Sequence, residues 1–148
     1  SNPRFILSEE GTDICSINVK ALPTSYPYFS TTFSILMRDI EGNKIFHEGH
    51  RVNFKYLYKE NIKSDVAILT AEESKLLGFV ELGMNYKKTI KACNILGSKK
   101  LFITGNKPNN TKGFIGNFIK TKGFNIERLS KDIEVFSNEG DIYKFNGE

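Results

Sequence analysis

The chain has 148 residues, 39% of them hydrophobic, with twelve Phe and six Tyr, which is a globular composition and not a disordered one. That length predicts a single domain, 1–148, able to bury a core, and no apolar run reaches the roughly 20 residues that a membrane helix needs. The net charge of +4 is uneven, since residues 1–74 hold eight Lys/Arg against ten Asp/Glu and residues 75–148 hold thirteen against seven.

The N-terminal stretch "SNPRFILSEEG" has neither the basic region nor the apolar run of a signal peptide. Cys15 and Cys93 are isolated and fit no metal-binding spacing. Together these features make reduced thiols and a cytoplasmic setting the default expectation, with one disulfide between Cys15 and Cys93 left open. "TDICSINVKAL" is rich in β-branched residues and reads as a strand. In "FSTTFSILMRD" the residues Phe29, Thr31, Phe33, Ile35 and Met37 alternate, and Glu41–Asn43 is a turn signal. Val52, Phe54, Tyr56 and Tyr58 alternate with Arg51, Asn53, Lys55 and Leu57. That period of two predicts an antiparallel meander from Phe29 to Lys59.

Val66–Leu69 reads as a short buried strand. Thr70 followed by Glu73 then fits a capping box, and Leu76, Leu77, Val80 and Met84 share one helical face, so a helix is expected up to Gly83. A second helix is expected over Tyr86–Leu96, with Tyr86, Ile90, Cys93 and Leu96 inward and Gly97 as its stop. "KKLFIT" is a strand, Thr111–Lys122 a third helix ended by Gly123, and "NIERLSKDIEVF" with "IYKFN" a closing hairpin. The expected fold class is α+β: an antiparallel or mixed sheet with two to three helices, mostly from the C-terminal half.

Two motifs are set aside on spacing. "LFITG…GFIGNFI" suggests a dinucleotide loop, but Gly105 and Gly113 lie eight residues apart and no room remains for further βαβ units. His47, Glu48 and His50 suggest a metal site, but the histidines are i and i+3 in strand-like sequence, split by Gly49. A zincin helix needs i and i+4, so no metal is expected and the segment reads as a turn or bulge.

From residue 82 to residue 126 there are nine lysines and no acidic residue. This basic patch predicts a polyanionic ligand, either cofactor phosphates or nucleic acid. The tyrosines and phenylalanines of the meander could stack on bases, though such alternation more often marks a core.

The C-terminal half resembles the GNAT family of N-acetyltransferases. The resemblance rests on element order, on "ACNILG" ending a helix, on the strand "KKLFIT", and on Asn109 or Asn110 before a segment ending in Phe118 and Gly123-Phe124. The family's glycine-rich acyl-CoA loop is missing, because the place reads "NYKKTIKAC", and Ile119 stands where its tyrosine acid would be. The resemblance implies a divergent, GNAT-like transferase: an N-acyltransferase using acetyl-CoA or another acyl-CoA. In it Lys87, Lys88, Thr89 and Asn109 would bind the cofactor, and Glu81 or Glu48 would act as general base. The alternatives are a non-enzymatic module binding nucleic acid or another polyanion, and a protein–protein interaction or structural domain of phage or mobile-element origin.

Overall fold

The computed structural model describes residues 11–27, 32–48, 50–104, 118–122 and 132–145. Among these residues the chain forms β1 (Thr12–Ile14), β2 (Ile17–Pro23), β3 (Phe33–Arg38), β4 (Lys44–His47), α1 (Phe54–Lys59), β5 (Val66–Thr70), β6 (Glu73–Leu76), β7 (Val80–Glu81), α2 (Tyr86–Leu96), β8 (Lys100–Thr104), β9 (Ile119–Lys122) and β10 (Glu134–Phe136). The main sheet runs β1-β2-β3-β4-β5-β8-β10, and a smaller one runs β7-β6-β9. The sheet is mixed: β1 to β4 pair antiparallel, whereas β4, β5, β8 and β10 pair parallel. The α+β class holds, with a mixed sheet.

Register sorts the side chains. Leu36, Phe46, Ala67, Leu101 and Val135 are Cα partners across the sheet and share one face. Phe46, Ala67 and Leu101 are fully buried in the core with Leu57, Ala92, Cys93 and Leu96 from the helices. The other face carries Ile35, His47, Ile68, Phe102 and Phe136, again in register and only half-buried. Phe102 and Phe136 stack there at 4.5 Å between ring centroids.

Helix α2 starts at Asn85, whose side chain accepts the Lys88 N–H, and ends at Gly97 with φ 74, as expected of a C′ glycine. Its inward stripe is turned from the expected one. Thr89, Ala92, Cys93 and Leu96 are buried, while Tyr86 and Ile90 are half-exposed. Thr89 can face inward because its hydroxyl finds backbone carbonyls there.

Several expected elements differ. Phe54–Lys59 is helix α1 and not a strand. Asn53 caps it by accepting the Tyr56 N–H at 3.1 Å, and Leu57 alone of its residues is buried. The alternation of aromatics therefore mimicked a strand that local capping overrides. Glu73–Glu81 is the hairpin β6–β7 and not a helix. Leu77 (φ 54) and Gly78 (φ 80) make its turn with two left-handed residues, as tight hairpins require. Gly83 is not a helix stop: a Cβ there would lie 2.5 Å from the Glu72 carbonyl, so glycine permits a close backbone approach.

Of the third expected helix, 119–122 is strand β9, paired with β6, and 111–117 lies outside the described residues. The closing hairpin is absent among the described residues, since β10 joins β8 in parallel and residues 142–145 form no strand. No helix of the described residues is long and apolar enough to cross a membrane.

Candidate functional site

Strands β4, β5 and β8 are adjacent and parallel, so their carboxyl ends lie side by side. In open α/β sheets that edge is where ligands bind. Glu48 stands there, one residue past β4, with its N–H bonded to the Ile68 carbonyl at 3.1 Å. It lies close enough to α2 for its charge to bear on the Cys93 thiol, which places it on the helix side of the sheet. Glu48 is only 3% exposed. Its Oε1 accepts from the Thr70 N–H at 2.8 Å and also from the Thr70 hydroxyl. Its Oε2 has no hydrogen-bond partner among the described residues. The Thr89 hydroxyl lies 2.8 Å from the Thr70 carbonyl and 3.1 Å from that of Asn85, tying α2 to the end of β5.

Burial pushes the Glu48 carboxyl up to about 8 from an ordinary 4.5, against the opposing pull of the two Thr70 hydrogen bonds. Burial thus favours its protonated form. The buried Cys93 thiol on α2 is pushed up to about 12, mainly by burial, and is not a thiolate nucleophile at neutral pH.

Glu81 lies in a separate network. It accepts from the Lys88 ammonium and, at 3.2 Å, from the Arg51 guanidinium. Arg51 also donates to the carbonyls of Tyr26 and Glu81, at 3.0 and 3.1 Å. The Lys88 hydrogen bond, then the charges of Lys88 and Arg51, hold Glu81 below its ordinary value despite partial burial. Glu81 is thus a paired carboxylate, whereas burial of Glu48 favours its neutral form. Among the described residues no hydrogen-bond network joins them.

The residues expected to hold acyl-CoA are dispersed in role. Lys88 is paired with Glu81, Thr89 is fully buried and bonded to backbone, and Lys87 is exposed. Asn109 lies outside the described residues. The parallel strands β5 and β8 pair without a break from Val66↔Lys100 to Thr70↔Thr104. No splay opens between them for a pantetheine arm. The expected basic field is divided as well. Lys88 meets Glu81, Lys100 meets Glu134, and Lys87 and Lys91 line a groove beside α1.

His47 sits on the opposite sheet face from Glu48, and half-burial, with His50 nearby, lowers its pKa. His50 is exposed and has a left-handed φ of 74. Among the described residues no three His, Cys, Asp or Glu side chains converge as metal ligands. Cys15 and Cys93 are unpaired, one exposed and one buried.

No protein-family model matches the sequence, and no curated protein is similar to it. Solved structures do match. The metallo-β-lactamase fold protein YhfI from Bacillus subtilis superposes with a TM-score of 0.52 at 13% identity, over 65% of this chain and 39% of that one. CmlA, a diiron β-hydroxylase from Streptomyces venezuelae, gives 0.54 at 13% identity, over 64% of this chain and 23% of that one. The likeness is one of fold. The chain spans well under half the length of either structure.

This finding overturns the GNAT resemblance, and with it the acyltransferase activity and the acyl-CoA cofactor. The helix–strand–helix order that suggested them is a βαβ unit, β5–α2–β8, which many folds share. Sequence reasoning reached Glu48 but missed its partner Thr70, which it placed as a helix cap. It also missed Arg51. The β-branched end of "VAILT" was the available signal that Thr70 completes a strand.

Proposed function

We propose that this chain is a metallo-β-lactamase-fold domain whose strand-end site works through one neutral carboxyl, Glu48, and not through a metal centre built from its own side chains. Metal-dependent chemistry is what the name of the diiron hydroxylase implies for that protein. Among the described residues the donor set does not fit it. The whole sequence has two histidines and two cysteines. His47 faces away from Glu48, His50 is exposed, and Cys93 is buried on α2. Glu48 has Thr70 on one oxygen, and among the described residues no second and third His, Cys, Asp or Glu side chain converges on it.

The observation that carries the reading is the unpartnered Oε2 of a buried Glu48 at the carboxyl ends of three parallel strands. A buried polar atom without a partner is costly and marks a place where a ligand group can complete the set. A neutral carboxyl donates one hydrogen bond, so it fits an acceptor such as a carbonyl or phosphoryl oxygen. A strongly shifted acid at a strand end is a candidate for acid–base work on such a ligand.

The test is thermal unfolding of the protein and of Glu48→Gln with zinc, manganese or ferrous ion. No metal should raise the melting temperature of either protein. A metal-dependent rise that Glu48→Gln abolishes would overturn the reading, because metal binding to the folded state must stabilise it. Difference infrared spectroscopy should show one protonated carboxyl at pH 7 that is lost in Glu48→Gln.

A further inference from the structure

An open groove of about 770 Å³ runs between α1 and α2, away from Glu48. Leu57, Ile90 and Ile95 supply its apolar surface, and Lys63, Lys87 and Lys91 supply charge. We infer that this groove docks an acidic, amphipathic segment of a partner protein.

The first argument is charge. No acidic side chain lines the groove among the described residues. Elsewhere lysines meet carboxylates: Lys59 with Glu60, Lys75 with Glu73, Lys88 with Glu81 and Lys100 with Glu134. No salt bridge between described residues reaches Lys63, Lys87 or Lys91. Three cations on one concave surface without a carboxylate favour an anionic occupant.

The second argument is preorganisation. The Lys63 ammonium donates to the Ile95 carbonyl at 2.7 Å, and the Lys91 ammonium lies 5.0 Å above the Phe54 ring. Two of the three cations are therefore held at the groove before anything binds, which lowers the ordering cost of association. Tyr58, 80% exposed at the rim, adds an amphipathic ring of the kind that anchors interfaces.

The chemistry of the floor selects the occupant. Aliphatic side chains beside the lysines match a segment with one apolar and one acidic face. Helix α2 has eleven residues. At about 1.5 Å per residue it offers a wall of about 16 Å, enough for about three turns of a docked helix. Single-stranded nucleic acid would stack successive bases on several aromatic platforms, and Tyr58 is the one aromatic side chain lining the groove among the described residues.

The test uses fluorescence anisotropy with three labelled probes: an acidic amphipathic helical peptide, a scrambled peptide of the same composition, and a single-stranded oligonucleotide of matched charge. The amphipathic peptide should bind best, with affinity falling as salt rises. Lys87→Glu with Lys91→Glu should weaken it about tenfold or more. Backbone amide resonances of 57–63 and 87–95 should shift on titration. Both lysines are exposed, so circular dichroism should show the double variant folded. The inference fails if the scrambled peptide binds equally, if the oligonucleotide binds tighter, if the shifts fall elsewhere, or if no peptide saturates at millimolar concentration.

Discussion

Glu48 and Glu81 are the same side chain in opposite surroundings, and each environment dictates a different chemistry. Glu48 follows β4, where two Thr70 donors bind one oxygen and burial removes water from the rest. Glu81 sits on the hairpin β7, where Arg51 and Lys88 reach it from two other elements. Desolvation raises the first, whereas hydrogen bonding and charge lower the second. The difference shows that a carboxyl's role follows from which neighbours the fold delivers and how far they exclude water.

The largest effect should come from removing the Glu48 side chain. Glu48→Ala leaves the Thr70 N–H and hydroxyl without their acceptor and opens a cavity, costing about 2–4 kcal/mol in urea unfolding at pH 6. Glu48→Gln keeps the shape and the acceptor of the neutral acid and should cost about 1 kcal/mol or less at the same pH.

The pH dependence separates the two carboxyls by sign. Between 4.5 and about 8 the unfolded chain ionises Glu48 while the folded chain keeps it protonated. Glu48 therefore contributes stability in full below 4.5, which is lost as pH rises to about 8, by an amount on the order of a few kcal/mol. Unfolding free energy measured at pH 5 and pH 8 should fall more in the wild type than in Glu48→Gln. Glu81 behaves in the reverse sense. Its lowered pKa contributes stability above its unfolded value, and that contribution is lost as pH falls through the folded one.

Thr89→Val tests the tie beneath Glu48. It keeps the side-chain shape but removes the hydroxyl shared by the Thr70 and Asn85 carbonyls, and should cost about 1–2 kcal/mol in denaturant melts. Glu81→Gln should have the smallest effect, about 1 kcal/mol or less, shrinking further in high salt, because its partners are partly solvated. A Glu81→Gln cost matching that of Glu48→Ala would erase the contrast between the two sites.

Much of the backbone was legible where local signals and burial agree. The strands at β3, β5 and β8 and the Gly97-terminated helix α2 carry apolar runs and a cap that no tertiary contact contradicts. Two segments misled. The aromatic alternation before Lys59 scored as a strand, although Asn53 caps a two-turn helix. Thr70 and Glu73 scored as a capping box, although the Leu77–Gly78 turn makes that region a hairpin. In both, a short pattern admits two periods, and packing chooses between them. Of the site, Glu48 and Glu81 were visible as carboxylates, but Thr70 and Arg51, which bind them, lie 22 and 30 positions away.

The sequence alone determined the composition of a folded α+β chain, the scarcity of histidine and cysteine, the basic C-terminal half and the amphipathic stretch that becomes α2. Tertiary structure decided the rest. The parallel register of β4, β5 and β8 sets His47 and Glu48 on opposite faces, buries Glu48 against Thr70, and leaves Lys87 and Lys91 facing a groove while Lys88 is neutralised. Local sequence encodes propensity and charge, but desolvation and pairing depend on long-range contacts, and these set which groups ionise and which stay available to a partner.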